Sequence, residues 1–269
     1  SRPSTLLPIT HFSTYEGEKC VIGKSVLGRE LFAFFVGDRS GKIGICQYAI
    51  HAREWITAHL ALEHIRRGVK GGVWFIPLMN PDGALLATEG LESVESEERR
   101  AFLARFKCDF SLWKANAEGV DLNVNFPAEW GTGRSNVHEA APANYIGELP
   151  LSAPESRALA EFTISACPDY TISWHTKGEE IYWRFHQPFR RACRDKRLAK
   201  RLSRLTGYPL RQAPYSAGGY KDWCVQKLKI PAFTVEAGSD CLCHPIGLES
   251  LERLVAILGN TVREFTEGF

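Results

Sequence analysis

Short apolar runs separated by stretches of helical periodicity constrain the fold of this chain more than any other feature. The runs are rich in β-branched and aromatic residues, which is typical of buried strands. They cover residues 31–36, 43–50, 73–79, 170–174 and 233–236. Because the runs are apolar throughout, both faces of the sheet should be covered by helices. The sequence therefore predicts an α/β fold with a central, twisted sheet that is mixed but mostly parallel.

Helical periodicity is clearest directly after the second apolar run. Ala58, Ala61, Leu62 and Ile65 stand at positions i, i+3, i+4 and i+7, which lays one apolar stripe along a helix. Three further helices are expected in the second half of the chain. Their signs are a possible capping box, a basic segment with a leucine stripe and a C-terminal apolar stripe. These signs lie at Ser152 and Glu155, at residues 190–204, and at Leu251, Val255, Leu258, Val262 and Phe265.

Length and charge indicate a single domain over residues 1–269. The formal charge of +2 gives no bias toward nucleic acid, so no nucleic-acid partner is expected. The basic segment is interpreted as a solvated helix face rather than a binding surface for an anionic polymer. No apolar run is long enough for a membrane span. The N-terminus lacks the features of a signal peptide, which predicts a cytoplasmic protein; a wall or secreted location stays open if the chain was trimmed.

The eight cysteines have no spacing that suggests a disulfide framework. We expect them to be reduced and mostly buried. The cluster Cys241-Leu242-Cys243-His244 contains soft metal ligands, but no second pair elsewhere completes a zinc knuckle.

Three of the apolar runs lead to a residue that can bind a metal or exchange a proton. The second run leads to His51, with Glu54 three residues later, the fourth to His175 and the fifth to Glu236. Ligands of open α/β sheets gather at the carboxyl ends of the strands, so these side chains should lie close together. Two imidazoles and one carboxylate could hold a zinc ion with a fourth position open for water. A further carboxylate could take that water's proton.

Five ordered motifs resemble those of the zinc carboxypeptidase family, over nearly the whole chain. They are HAREW at 51–55, GVDLNVNFP at 119–127, SWHTKG at 173–178, YSAGGYKDW at 215–223 and AFTVEAG at 232–238. The resemblance implies the carboxypeptidase-like α/β fold and a single bound Zn²⁺. The stretches WKAN, HTKGEEIYW and SAGGYKDW look most like the bacterial γ-D-glutamyl-diaminopimelate peptidases and murein-peptide amidases of this family.

Carried over position by position, the resemblance implies a metal site and a catalytic base. His51, Glu54 and His175 would be the zinc ligands, and Glu236 the general base that later returns the proton to the leaving amine. Asp121 falls where the family holds a carboxylate behind the first histidine, which would orient that imidazole. A loop aspartate that only closes an Asx turn is the alternative interpretation of this position.

The resemblance also implies residues around the substrate. The family places a cation for the developing oxyanion between a tryptophan and its GVDLN-like motif, which favours Lys114 here and leaves Asn116 as a competitor. Arg53 and Asn123 match substrate-contacting positions. Tyr215 matches the mobile tyrosine that closes over the substrate.

One position departs from the family pattern. Exopeptidases of the family have arginine after Asn123, where it holds the substrate's terminal carboxylate, whereas this chain has Val124. Ordinary removal of a C-terminal residue is therefore in doubt. Lys221 falls at a position that lines the pocket beyond the cut, and a lysine there would favour a carboxylate on the substrate side chain. A solvated loop lysine is an equally good interpretation.

These observations favour a zinc metallopeptidase that cuts the γ-D-glutamyl-diaminopimelate amide in peptides from peptidoglycan. Diaminopimelate carries a carboxylate at its far end, which fits the loss of arginine and the gain of lysine. Glu179 or Glu180 could meet its ammonium group. Two alternatives stay open: a metallocarboxypeptidase for acidic C-termini that relies on Lys221, and a non-catalytic module that binds wall peptides. Glu236 argues against the module, because a pure binder needs no carboxylate beside the metal.

Overall fold

One eight-stranded mixed sheet forms the centre of the molecule in the computed structural model, which describes residues 7–268. The strand order is β1-β2-β4-β3-β5-β8-β6-β7. The strands are β1 Lys19–Lys24, β2 Glu30–Gly37, β3 Ile43–Tyr48, β4 Gly72–Ile76, β5 Tyr170–Thr176, β6 Glu180–Tyr182, β7 Leu210–Arg211 and β8 Ala232–Ala237. The five predicted runs correspond to β2, β3, β4, β5 and β8, so these predictions are confirmed.

Parallel pairing is confined to the middle of the sheet and one edge. Strands β4, β3, β5 and β8 run parallel to one another, as do β6 and β7. Strand β2 pairs antiparallel with both β1 and β4, and β6 pairs antiparallel with β8. The prediction of a mixed, mostly parallel sheet is therefore confirmed. Its parallel centre brings the carboxyl ends of β3, β5 and β8 to the same edge.

Helices cover both faces of the sheet, as predicted. Helices α2, α6, α8 and α9 contribute to the apolar cluster on one face, and α5 and α7 to the cluster on the other. The described helices are α1 Ile9–Thr14, α2 Ile56–Arg67, α3 Pro81–Glu89, α4 Glu97–Ala104, α5 Pro154–Ala166, α6 Phe189–Thr206, α7 Tyr220–Trp223, α8 Leu251–Leu258 and α9 Thr261–Thr266. Buried aromatic side chains dominate the first cluster, where Tyr48 and Trp174 stack with ring centroids 6.1 Å apart. No helix in the described part of the chain is long and apolar enough to cross a membrane.

Two predictions about helices are wrong in detail. The predicted capping box does not form, because the cap of α5 is Ala153, which has no side-chain oxygen. Glu155 instead accepts hydrogen bonds from the Val26 amide and from Asn116, both far away in sequence. The predicted C-terminal helix is two helices, α8 and α9, because the chain turns at residues 259–260 and the apolar stripe continues across that turn.

The cysteines differ from the prediction in burial but not in redox state. All eight are free thiols, as expected. Only Cys46 and Cys224 are buried, whereas Cys167, Cys193, Cys241 and Cys243 are exposed. The expectation of mostly buried thiols is therefore wrong, since four of these residues lie in helix ends, helix surfaces and the loop after β8.

Candidate metal centre and active site

A tight turn after β3 brings His51 and Glu54 to the edge of the sheet. His51 precedes a single 3-10 turn, Ala52–Glu54, which leads into α2. The hydroxyl of Thr57 accepts a hydrogen bond from the Ala49 amide at 2.9 Å and donates to the Glu54 carbonyl at 2.8 Å. These two hydrogen bonds stabilise the turn, so that the side chains of His51 and Glu54 lie on the same side of the sheet edge.

His175 reaches the same place from the carboxyl end of β5. Its Nδ1 lies 3.0 Å from Glu54 Oε2 and 3.1 Å from His51 Nδ1. His51 Nδ1 lies 2.9 Å from Glu54 Oε1. The three side chains are buried, with relative exposures of 6%, 3% and 1% for His51, Glu54 and His175.

This cluster is suited to a metal ion. One ligand atom from each residue lies within 4.8 Å of the others. Two imidazole nitrogens and one carboxylate, with room for a further ligand, form the donor set that Zn²⁺ takes in catalytic sites. The two imidazole nitrogens face each other, and both contact the same carboxylate. A cation bound between the three groups explains this arrangement. Across residues 7–268, no other group of three such side chains comes together, and the cluster at Cys241–His244 forms none.

Asp121 lies directly behind His51. Its Oδ1 is 3.2 Å from His51 Nε2, which leaves Nδ1 of that ring free to face the other two ligands. Its Oδ2 pairs with Lys114 Nζ at 2.9 Å. The backbone amides of Asn123 and Asn144 also donate to the Asp121 carboxylate. Asp121 therefore joins the metal ligands to the proposed oxyanion residue.

Electrostatic interactions keep these buried carboxylates ionised. Burial alone would raise the pKa of Asp121, but Lys114 and His51 outweigh it and hold that pKa far below its ordinary value. Burial of Glu54 is likewise outweighed by His51 and His175, so its pKa also falls well below the ordinary value. The site is thus prepared to receive a positive charge.

Glu236 lies beside His175, the third candidate ligand. In the β5–β8 ladder His175 pairs with Glu236, so both side chains point to the same face of the sheet. Burial raises the pKa of Glu236 to about 7, with Glu54 and Glu180 adding to the rise while His175 and Lys114 oppose it. A carboxyl group with this pKa can both accept and donate a proton near neutral pH.

A cavity of about 380 Å³, here called the central cavity, opens beside the metal ligands. His51, Lys114 and Val124 line this cavity. Its remaining lining residues include Asn123, Gly133, Ser135, Asn136, Asn144, Ala213, Pro214, Tyr215, Ser216 and Ala217. Tyr215 is 62% exposed and its ring stacks under the Arg134 guanidinium at 3.8 Å, which places it at the entrance.

The structure distinguishes the two oxyanion candidates by position. Lys114 lines the central cavity, with Asn144 Oδ1 3.3 Å from its Nζ. Asn116 is fully buried, donates to Glu155 and accepts hydrogen bonds from two backbone amides of its own loop. Only Lys114 of this pair can face a substrate in the cavity.

Two other candidates are placed differently from the expectation. Lys221 is buried and forms an ion pair with Asp222, and its Nζ also donates to the Arg184 carbonyl at 3.0 Å. It is not among the residues that line the central cavity. Glu180 pairs with Arg211 at 3.1 Å, so its carboxylate is already occupied by a cation.

Arg53, His244 and Asn144 complete the surroundings. Among residues 7–268, no hydrogen-bond partner reaches the buried Arg53 Nε. His244 also lies near these side chains: burial, together with the charge of Arg53, lowers its pKa to about 4. Asn144 was missed because it lies in an irregular segment with a left-handed backbone (φ 67°), where no sequence pattern marks it. Lys114, Asp121 and Asn144 all lie in the segment between α4 and α5.

Comparisons with known proteins agree with this geometry. The zinc carboxypeptidase family matches residues 17–242 of the chain. The chain is 33% identical over 246 residues to gamma-D-glutamyl-L-diamino acid endopeptidase 1 of Lysinibacillus sphaericus, which covers 84% of this chain and 61% of that protein. It therefore spans about three fifths of that relative's length.

Solved structures show the same fold. Murein-tripeptide amidase MpaA from Escherichia coli O157 superposes with a TM-score of 0.65 at 22% identity and covers 96% of each chain. Bovine thrombin-activatable fibrinolysis inhibitor gives a TM-score of 0.75 at 19% identity, with 93% of this chain and 89% of that chain covered.

Proposed function

Because the chain belongs to the zinc carboxypeptidase family and is therefore a hydrolytic metallopeptidase, we propose that it hydrolyses the γ-D-glutamyl-diaminopimelate amide in peptides from peptidoglycan. The relative named as a gamma-D-glutamyl-L-diamino acid endopeptidase supports this substrate. So does the similarity in fold to a murein-tripeptide amidase.

The observation that carries the proposal is the contrast between a complete catalytic centre and an apolar wall beside it. The candidate ligands His51, Glu54 and His175 lie together, with Glu236 in register with His175, but Val124 lines the central cavity where exopeptidases of the family have an arginine. A valine side chain offers no donor to a terminal carboxylate. This combination fits a peptidase whose substrate is not recognised by an ordinary C-terminal carboxylate beside the scissile bond.

His51, Glu54 and His175 would hold one Zn²⁺. When bound, the ion supplies Lewis acidity, which polarises the scissile carbonyl and makes water a better nucleophile at neutral pH. Asp121 keeps the His51 ring in place by accepting a hydrogen bond at Nε2.

The chain's own residues move the protons and stabilise the developing charge. Glu236 accepts a proton from the attacking water and delivers it to the leaving amine, for which a pKa of about 7 is well suited. Lys114 places a positive charge in the central cavity, where the carbonyl oxygen becomes negative. Tyr215, on the exposed rim, can close over the bound peptide, and Arg53 and Asn123 contact it.

The two alternatives have less support. The carboxypeptidase hypothesis relies on Lys221 to replace the missing arginine, but that lysine is bonded to Asp222 and to the Arg184 carbonyl. A binding module has no use for a carboxyl group of raised pKa in register with a metal ligand.

The test is mass spectrometry of L-Ala-γ-D-Glu-meso-diaminopimelate after incubation with zinc-loaded protein, with a chelated sample and an ordinary acidic-ended peptide as controls. We expect zinc-dependent release of diaminopimelate. In Glu236→Gln the rate should fall by roughly 1,000-fold, because general acid–base catalysis is lost, while calorimetric affinity for the peptide is retained. A Glu236→Gln rate close to that of the wild type would refute the mechanism. Release of a residue from the ordinary peptide alone would favour the carboxypeptidase.

A further inference from the structure

A second cavity adjoins the central cavity on the other side of one loop. This outer cavity measures about 180 Å³ and is lined by Arg184, Phe185, His186 and Gln212 together with three residues of the loop. Those three, Ala213, Pro214 and Ser216, also line the central cavity. The two cavities therefore lie side by side, with this loop between them.

Arg184 is the cation of the outer cavity that is available to a ligand. Its side chain is exposed, and within residues 7–268 its guanidinium makes no hydrogen bond or ion pair. The imidazole of His186, by contrast, lies 3.4 Å from the Glu129 carboxylate. Across the described chain, exposed cations often have acidic partners; Lys42 pairs with Asp169, for example. Arg184 has none although it lies in a cavity.

Lys221 fixes the backbone from which Arg184 projects. Its Nζ donates to the Arg184 carbonyl at 3.0 Å, and the same ammonium group pairs with Asp222. Lys221 also lies over the Phe185 ring, 5.5 Å from its centroid. Lys221, which was predicted to bind a substrate carboxylate, is thus bonded within the protein. It stabilises the part of the outer cavity from which the Arg184 side chain projects.

We propose that Arg184 is a specificity-determining residue that binds a substrate carboxylate remote from the scissile amide. The inference rests on the proposed function, which supplies such a group as the far-end carboxylate of diaminopimelate. A guanidinium can bind a carboxylate through two parallel hydrogen bonds, which discriminates against a substrate that lacks it. Lys221 acts as a positioning residue for this contact.

The experiment compares L-Ala-γ-D-Glu-meso-diaminopimelate with L-Ala-γ-D-Glu-L-Lys, which lacks only the far-end carboxylate and its stereocentre. We expect the wild type to prefer the first peptide by about tenfold in kcat/KM, the worth of one charge-assisted contact. In Arg184→Gln the preference should fall to about one, and Arg184→Lys should restore part of it. Lys200→Gln, an exposed change on α6, is the matched control and should keep the full preference.

Binding separates this inference from the proposed reaction. The affinities of both peptides are measured by calorimetry in Glu236→Gln and in Glu236→Gln/Arg184→Gln. A preference for the diaminopimelate peptide that disappears with Arg184 supports the inference even if the wild type cuts neither peptide, an outcome that would reject only the proposed reaction. An equal loss for both peptides in Arg184→Gln, or an unchanged preference, would overturn the role of Arg184.

Discussion

Asp121 and Glu155 are two fully buried carboxylates whose pKa values are shifted in opposite directions. Asp121 faces the metal ligands and contacts two groups that can carry positive charge, Lys114 and His51. Glu155 lies in the first turn of α5, where its partners are the side-chain amide of Asn116 and the backbone amide of Val26, just after β1. Both have a relative exposure of 0%, so burial alone cannot explain the difference.

The pKa values follow the partners. Lys114 and His51 hold the pKa of Asp121 far below its ordinary value despite burial. Burial raises the pKa of Glu155 to about 7, and the nearby charge of Asp82 adds to the rise while its two hydrogen bonds oppose it. At neutral pH the Asp121 carboxylate is therefore ionised, whereas about half of the Glu155 side chains are protonated.

Lys114→Met should have the largest effect, because it removes the cation that keeps Asp121 ionised. Breaking a largely buried ion pair should lower the free energy of unfolding by about 3 kcal/mol. Loss of the charge in the central cavity should lower kcat by roughly 100-fold or more. Chemical denaturation and steady-state kinetics measure the two effects. Lys114→Arg is the control that keeps the charge, and similar losses in both variants would contradict an electrostatic role.

Glu155 should make stability fall as the pH rises. Its folded pKa of about 7 lies above its ordinary value of 4.5, so its contribution is complete below pH 4.5 and is lost as the pH rises through 7. The wild type should lose about 3 kcal/mol across this window relative to Glu155→Gln. The difference between the two proteins, measured by urea unfolding at several pH values, cancels the opposite effect of His64, whose pKa burial lowers to about 4.

Asp121 provides the counterpart to this pH series. Its folded pKa is depressed, so its contribution is complete above its ordinary pKa and is lost only as the pH falls into the acid range. Measured in a His51→Gln background, where the imidazole that Asp121 contacts no longer titrates, the stability difference between Asp121 and Asp121→Asn should therefore be constant from pH 6 to pH 8. A slope in this range as steep as that of Glu155→Gln would remove the distinction between the two carboxylates.

Asp121→Asn should also weaken the metal site, by roughly 10- to 100-fold in zinc affinity, because the acceptor behind the His51 ring loses its charge. Competition with a chromophoric chelator measures the change. Glu155→Gln serves as the control, since its side chain is bonded to Asn116 and Val26 and not to a ligand. Equal zinc affinities in the wild type and Asp121→Asn would show that the Asp121 carboxylate stabilises only its own loop and does not orient His51.

The sequence predicted the central strands, and the site residues at their ends, better than the edge strands and the site residues in irregular segments. Apolar runs revealed the central strands, and the polar residues at their ends marked His51, His175 and Glu236. Strands β1, β6 and β7 were missed. All residues of β1 are exposed or partly buried, and the other two strands have only three and two residues. Edge pairing of such short segments depends on the tertiary path of the chain.

The same limit applies to residues in irregular segments. Arg184 and Asn144 reach the two cavities only because of the way distant loops fold together, and neither lies in a periodic pattern. Lys221 shows the converse: its position in a family motif predicted a substrate contact, but its bonds to Asp222 and the Arg184 carbonyl depend on neighbours that the motif does not specify. Glu155 was misinterpreted for the same reason, as a cap rather than a buried acid.

The smallest predicted effect separates burial from charge at Glu155. Asp82 is buried and pairs with Arg29 at 2.7 Å, and its charge raises the Glu155 pKa less than burial does. Asp82→Asn should therefore lower the Glu155 pKa by less than about one unit. A ¹³C-carboxyl NMR titration of the variant measures it directly. If the Glu155 pKa returned to its ordinary value, the charge of Asp82 would be the main cause of its rise. The difference between the pKa values of Glu155 and Asp121 would then not follow from burial without a cation.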